Sequence, residues 1–381
     1  MPSPACPRKK IAVVIPKYGL AGGAERFAAI LAERLAENPA YEIHVLANRW
    51  VSSSTAIFFH HIPIITFPRF LTTISFAWFA SRTAAKLGCD LVHAHDRILR
   101  ADLFTLHGVP HRFWVRQIRR KRMSLFDRVT AWVEARLLND PRCRWLLPVS
   151  ALALAQYCRE FPETRERLRV IHPGIDLERF NPLNRQERCK NIRKRFGFAA
   201  SDFIVLFVGM NFELKGLRTT IAALAHAQKK SPNRKIKLLV VGKGNQKKFR
   251  RLAADLNVEE AVTFAGVLTE DMEDIYVASD TYVLLSDFDT FGMTVLEAMA
   301  AGLPVIISPA VGAKDLVTEG INGYIVAQDD ATAAGDKIIS LLDNHRRNTM
   351  GRAAMLVAER HSWNNVTKKI SQLYDEILAS R

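Results

Sequence analysis

The run of residues from Ser286 to Val305 restricts what this chain can fold into more than any other stretch. It follows Thr281-Tyr-Val-Leu-Leu285, an apolar run that reads as a buried strand. From about Gly292, Val295, Leu296, Met299 and Ala300 fall at helical spacing, and Gly302 and Pro304 stop the helix before Val305-Ile-Ile307 opens the next strand. Strand, acidic loop, helix and strand make one βαβ unit. Its loop lies at the carboxyl end of a strand, where open α/β sheets bind ligands. The helix start around Phe291, Gly292, Met293 and Thr294 offers backbone N–H groups and the positive end of the helix dipole, which suit phosphate or sugar oxygens. Asp289 stands just ahead of that start and Glu297 about a turn and a half inside it. Acids beside such a cradle point to a ligand that combines phosphate with many hydroxyls. The plain alternative is an ordinary crossover with solvated acids.

An acid, seven residues and then Glu297-Ala-Met-Ala300 resembles the acidic motif of retaining GT-B glycosyltransferases of glycosyltransferase family 4. The resemblance implies that Asp289 holds donor-sugar hydroxyls and that Glu297 holds the nucleotide ribose. Asp289 departs from the pattern, which has Glu there, and its shorter arm bears on which sugar fits.

A chain of 381 residues has room for two domains. Its formal net charge of +16 calls for an anionic partner, whether nucleic acid, membrane surface or phosphorylated substrate. The five cysteines (Cys6, Cys89, Cys143, Cys158 and Cys189) are odd in number and hold no CxxC pair, against a disulfide framework or a zinc site and for a reducing compartment. Met1 to Lys10 is basic, but Ile11-Ala-Val-Val-Ile15 is short and reads better as a first strand than as a secretory signal. The apolar region from Thr55 to Ala80 is broken by His60, His61, Pro63, Pro68 and Arg69, so a spanning helix is not expected.

After the first strand, Gly22 and Gly23 let the backbone come close to a ligand at a helix start, although a tight turn explains them about as well. The spacing is not GxGxxG, which counts against a nicotinamide or flavin site. The loop resembles the family's Gly-Gly-x-Glu segment, which borders the donor phosphates and the acceptor. Two later strand ends deliver histidines, in Asp90-Leu-Val-His-Ala-His-Asp96 and Leu103-Phe-Thr-Leu-His-Gly108. The resemblance gives His107 a place facing the donor phosphate or the acceptor, and suggests a cleft position for Asp96.

From His111 to Leu138, Arg112, Arg116, Arg119, Arg120, Lys121, Arg122 and Arg128 alternate with Phe113, Trp114, Ile118, Leu125, Phe126 and Trp132. A basic, aromatic, amphipathic segment reads as a membrane-surface element, with Arg112, Trp114, Arg119, Arg120, Lys121 and Arg122 as its contacts. A solvated basic helix and an RNA-binding segment are the alternatives, and no nucleic-acid motif accompanies it.

Arg169-Val-Ile-His-Pro-Gly174 and its continuation to Pro182 match the segment that ends the first domain in the family, and polar Leu183 to Lys194 reads as a linker. The second domain restarts with Phe203-Ile-Val-Leu-Phe-Val-Gly209 and the loop Met210 to Gly216. A strand, Gly209, a short loop and Lys215-Gly216 before a helix place an ammonium where a diphosphate can bind. In the family a basic residue usually follows the strand glycine; here it is Met210, a departure shared with the lipopolysaccharide-core glucosyltransferase branch, although Leu214 lacks that branch's extra basic residue.

The expected fold is therefore α/β of GT-B type, two Rossmann-like domains facing across a cleft: an acceptor domain over 1–183, a donor domain over 184–361, and a helix over 362–381 returning to the first. The resemblance implies transfer of a glucose-like hexose, with retained configuration, from a UDP-type sugar to a cell-envelope glycan or glycolipid such as lipopolysaccharide core. Lys215, Asp289 and His107 would serve catalysis without metal or cofactor. The protein would work in the cytoplasm at the inner face of the membrane and bind no nucleic acid. Two rivals stand beside this reading. Asp287-Phe-Asp289 has the form of a metal-holding Asp-x-Asp of GT-A enzymes, and the charge alone fits a non-enzymatic membrane- or nucleic-acid-binding module.

Overall fold

The computed structural model describes residues 8–20, 22–180, 184–268 and 270–380. Two compact units divide the chain: Met1–Gly174 with Trp363–Arg381, and Ile175–Ser362.

In the first unit six strands form a parallel sheet: β1 (Lys9–Val14), β2 (Tyr41–Ala47), β3 (Ile57–His61), β4 (Leu91–Ala94), β5 (Leu103–Leu106) and β6 (Trp145–Pro148). They lie in the order β3-β2-β1-β4-β5-β6. The second unit repeats the plan with β7 (Phe203–Gly209), β8 (Ile236–Gly242), β9 (Val262–Gly266), β10 (Thr281–Leu284), β11 (Val305–Ile307) and β12 (Gly323–Ile325). Its order, β9-β8-β7-β10-β11-β12, is the same doubly wound order, reversing direction beside the unit's first strand.

The apolar runs in the sequence follow from this burial. Ile11 and Val13 point into one core of the first unit and Ala12 and Val14 into the other, because successive strand side chains face opposite ways. A parallel sheet covered on both faces therefore shows no polar alternation. The C-terminal helix Trp363–Ala379 buries Trp363, Val366, Ile370, Leu373, Tyr374 and Ile377 in the first of these cores, beside Phe27, Leu31 and Leu35.

The division between units falls at Gly174/Ile175, earlier than the expected 183/184. Ile175 donates its N–H to the His361 carbonyl at 2.9 Å. Leu177–Phe180 is a short helix whose Arg179 pairs with Glu273 and whose Phe180 ring meets Tyr276 edge-on. The polar stretch read as a linker is instead the helix Arg185–Arg195. Arg193 ties it to Asp280 at 2.8 Å, and Arg188 pairs with Asp274. Pro182 and Leu183 lie outside the described residues, as does Cys6.

The Thr55–Ala80 region divides between β3 and the first part of the helix Leu71–Leu87. No helix among the described residues is long and apolar enough to cross a membrane. Cys89, Cys143, Cys158 and Cys189 are free thiols.

Candidate functional site

In the second unit the carboxyl ends of β7 and β10 are bound to each other by their loops. Ser286 Oγ donates to the Leu214 carbonyl at 2.8 Å, and the Asp287 N–H donates to the same oxygen at 2.9 Å. The acidic loop is held from its other side too. The Asp289 N–H donates to the Ala310 carbonyl at 3.0 Å, and the Gly312 N–H donates to the Asp289 carbonyl at 2.9 Å. Backbone fixed in this way gives a carboxylate at position 289 a defined direction. Lys215 Nζ donates to Asp289 Oδ2, closing an ion pair between side chains 22% and 18% exposed. The two residues assigned separately to diphosphate and sugar are thus in direct contact.

Each loop ends in a helix with a left-handed glycine at its start: Gly216 (φ 77°) before Leu217–Lys230 and Gly292 (φ 89°) before Met293–Ala300. A Cβ on Gly216 would stand 1.9 Å from the Leu285 carbonyl oxygen, so the close approach of the two loops requires glycine there.

Deeper in the second helix, Glu297 Oε2 accepts from the buried Tyr276 hydroxyl at 2.7 Å. Burial, then the charge of Glu297, pushes the Tyr276 pKa well above its ordinary value, so the phenol remains a donor. Tyr282 likewise donates to Thr294 Oγ1 at 2.6 Å. Phe291 is buried under the loop, while Met293, Thr294 and Glu297 are partly accessible. Tyr276 and Tyr282 carry no signal in the sequence that separates them from core aromatics. Their role follows only from where their hydroxyls end.

Asp287 is exposed, whereas Asp289 is turned to Lys215. No group of three or more His, Cys, Asp or Glu side chains suited to a metal occurs among the described residues.

The first unit delivers different chemistry at the same strand ends. Gly22 precedes the helix Gly23–Ala36, and a Cβ on Gly23 would meet nothing within 4 Å. His93 bonds Tyr374 through Nδ1 and Thr105 through Nε2, both at 2.8 Å. His95 Nδ1 lies 3.1 Å from His107 Nε2, and Phe27 packs its ring edge-on to His107 at 4.9 Å. Burial depresses the pKa of His93 and of His107 to about 3 and that of His95 well below the ordinary value. His107 is thus neutral: it can offer a hydrogen bond to a phosphate or an acceptor, but not a positive charge. Asp96 is engaged with Arg97, which also pairs with buried Glu134 at 2.9 Å.

Of the basic segment, Arg112, Arg119, Arg120, Lys121 and Arg122 are exposed, but Phe113 and Trp114 are half-buried in a helical turn that includes the π-helix Trp114–Ile118. The exposed aromatics lie elsewhere. Trp132 is 50% exposed on the helix Leu125–Leu138 and Trp78 is 47% exposed on Leu71–Leu87, with Arg136 and Arg82 one turn beyond them. These helices pack on one another, joined by a Thr73–Thr130 hydrogen bond of 3.0 Å, and bury Phe76, Ala77, Ala80, Val133 and Leu137 in one core.

Comparison with known proteins gives two adjacent family matches. Residues 21–179 match Glycosyltransferase Family 4, and residues 189–357 match Glycosyl transferases group 1. A D-inositol 3-phosphate glycosyltransferase of Corynebacterium urealyticum is 32% identical over 55% of this chain, a stretch that takes in only 51% of that relative. An uncharacterized glycosyltransferase of Methanocaldococcus jannaschii is 26% identical over 96% of this chain and 97% of its own length. Among solved structures, WaaG, a glycosyltransferase involved in lipopolysaccharide biosynthesis, superposes with a TM-score of 0.78 at 20% identity, covering 95% of this chain and 99% of WaaG. HepE of Anabaena, in complex with UDP and glucose, superposes with a TM-score of 0.75 at 18% identity, covering 97% and 100%. At these identities the structures bear on the fold, which is that of GT-B enzymes.

Proposed function

We propose that this chain, which belongs to the glycosyltransferases joining a Family 4 domain to a group 1 domain, moves a glucose-like hexose from a UDP-type sugar to a hydroxyl of a cell-envelope glycan or glycolipid. Lipopolysaccharide core is the acceptor class we favour, with the anomeric configuration retained. The observation that carries this reading is the Lys215–Asp289 contact at two adjoining helix starts, with Glu297 held by Tyr276 farther along the second helix. A donor laid across them meets Glu297 with its ribose, Lys215 and the helix starts with its diphosphate, and Asp289 with its sugar. The ligands named with HepE and the pathway named for WaaG support the choice of donor and acceptor class.

In the reaction the bond from the anomeric carbon to the phosphate oxygen breaks and a bond to the acceptor oxygen forms. The acceptor proton leaves with the diphosphate. The protein's task is electrostatic: Lys215 and the helix dipoles stabilise charge growing on the leaving group, while Asp289 and the 291–294 backbone orient the sugar. No side chain serves as a covalent nucleophile, and the donor is a substrate, so no cofactor is needed. His107 enters as a neutral hydrogen-bonding group.

Purified protein incubated with UDP-glucose and related nucleotide sugars, without acceptor, should release the nucleoside diphosphate slowly. Failure to bind or hydrolyse any nucleotide sugar sinks the reading.

We place the enzyme in the cytoplasm, docked reversibly on the inner membrane face. Exposed Arg112, Arg119, Arg120, Lys121 and Arg122 supply the charge. The outward positions of the two neighbouring helices (Trp78 and Arg82, Trp132 and Arg136) supply aromatic anchors with a cation above each ring. Each basic residue near an anionic surface contributes on the order of 1 kcal/mol. Changing Arg119, Arg120, Lys121 and Arg122 together to Gln should abolish binding to phosphatidylserine vesicles at low salt without altering donor hydrolysis. Wild-type protein that ignores such vesicles would point to a soluble acceptor instead.

A further inference from the structure

The carboxyl edge of the second unit holds a cation that the donor assignment above leaves unused. Strands β7 and β8 run parallel and in register to their last residues, so that Gly209 stands opposite Gly242. Met210 and Lys243 are therefore the next residues on neighbouring strands. The Lys243 N–H donates to the Gly209 carbonyl at 3.1 Å, which fixes the start of that turn. The two strand ends meet closely: a Cβ on Gly242, where φ is 126°, would stand 1.9 Å from the Gly209 oxygen. Gly209 also lies under the Lys215 stem, where an added Cβ would come within 2.9 Å of the Lys215 Cγ. Gly209 is thus next to both Lys215 and the backbone of Lys243. The turn after Lys243 is packed on the Met210–Gly216 loop, since a Cβ on Gly244 would touch the Phe212 ring.

Charge accounting separates the lysines of this edge. Lys215 is paired with Asp289, and Lys248 Nζ with Glu213 at 2.5 Å. Lys243 is exposed and makes no ion pair among the described residues, while Met210, exposed on the adjacent strand end, brings no charge. A diphosphate carries more negative charge than one shared ammonium offsets.

We infer that Lys243 is a second cation for the donor diphosphate, working from β8 in the place that Met210 leaves uncharged on β7. This rests on the donor-site reading above. With its backbone fixed beside Gly209, Lys243 adds a charge next to the Lys215 loop, and the two cations share the two phosphates. Because Lys243 is exposed and its structural bond is made by the backbone, its replacement leaves the fold intact.

The test is calorimetry with UDP, ADP and GDP and with the matching monophosphates, on wild type, Lys243→Gln and Lys243→Arg. Wild type should prefer a diphosphate over its monophosphate. Lys243→Gln should weaken the diphosphate about tenfold and shrink that preference, as expected for one charge-assisted contact, and should flatten the salt dependence. Lys243→Arg should restore affinity. Equal diphosphate affinity in wild type and Lys243→Gln overturns the role of Lys243 and leaves the donor site standing. If wild type binds none of the nucleotides, the donor-site reading falls and this inference with it. Equal loss for diphosphate and monophosphate also overturns it, since that outcome assigns Lys243 to some other part of the nucleotide.

Discussion

The two units share one strand order and differ in what their strand ends deliver. In the second, the loops after β7 and β10 carry Lys215 and Asp289 as an ion pair at an accessible edge, each loop leading into a helix start. In the first, β4 and β5 end in His95 and His107, hydrogen-bonded to one another and neutral, against the aromatic ring of Phe27. A doubly wound sheet fixes where a site can be, but the loops decide whether it answers charge. One unit sets a fixed charge pair at its strand ends, and the other presents neutral hydrogen-bonding groups from a core that excludes charge.

The sharpest way to break this contrast is at the glycines that open the helices after the strand ends. Gly216→Ala places a Cβ against the Leu285 carbonyl in a left-handed backbone. It should destabilise the chain by at least about 4 kcal/mol, because strain and a backbone clash add. Gly23→Ala meets open space and should change stability by no more than about 1 kcal/mol, in the stabilising direction. Urea denaturation of both variants decides it; equal effects would mean that the two helix starts are not built differently. Asp289→Ala comes next. It removes the partner of Lys215, so transfer should fall about 10²- to 10³-fold while affinity for the nucleoside diphosphate holds or rises. Glu297→Gln should do the reverse, weakening nucleotide binding by roughly 1.5–3 kcal/mol. If both variants lose nucleotide binding alike, the division of labour between the two acids is wrong.

Much of this was legible in the chain itself, for physical reasons. Fully buried parallel strands write themselves as apolar runs, and Gly209, Gly216 and Gly292 mark strand ends and helix starts. That placed Lys215 and Asp289 on loops after strand ends and Glu297 in the helix that follows. The contact between Lys215 and Asp289 was not legible, since 74 residues separate them and no local pattern records an ion pair. The helix Arg185–Arg195 was hidden for a related reason. Among its residues only Ile192 is buried, so it shows no apolar stripe, and it docks through Arg188 and Arg193 to distant acids. Phe113 and Trp114 looked like membrane anchors by composition, but composition cannot tell which aromatics a helix turns inward. The neutrality of the histidines was not legible either, because it follows from their burial, which no local pattern records.

That neutrality gives the smallest effect and a clean sign. Burial lowers the pKa of His93, His95 and His107 in the folded chain, while each titrates near 6.5 when unfolded. Above that value both states are neutral and the histidines add nothing to the pH dependence. As pH falls through it, the unfolded state takes up protons that the folded state refuses, so stability declines with acidification. The decline continues towards the folded-state values. Between pH 7 and 6 each such histidine costs about 0.7 kcal/mol. Amide exchange locates the effect: protection in β4 and β5 should fall on acidification before protection in β7 and β10 does, once the intrinsic pH dependence of exchange is divided out. His93→Gln keeps a group able to bond Tyr374 and Thr105 but cannot titrate. It should therefore flatten the loss in β4 and β5 by one histidine's share even if it lowers stability at every pH. An unchanged slope in that variant would mean that acid acts elsewhere, and the contrast between a charged and a neutral unit would lose its footing in the first unit.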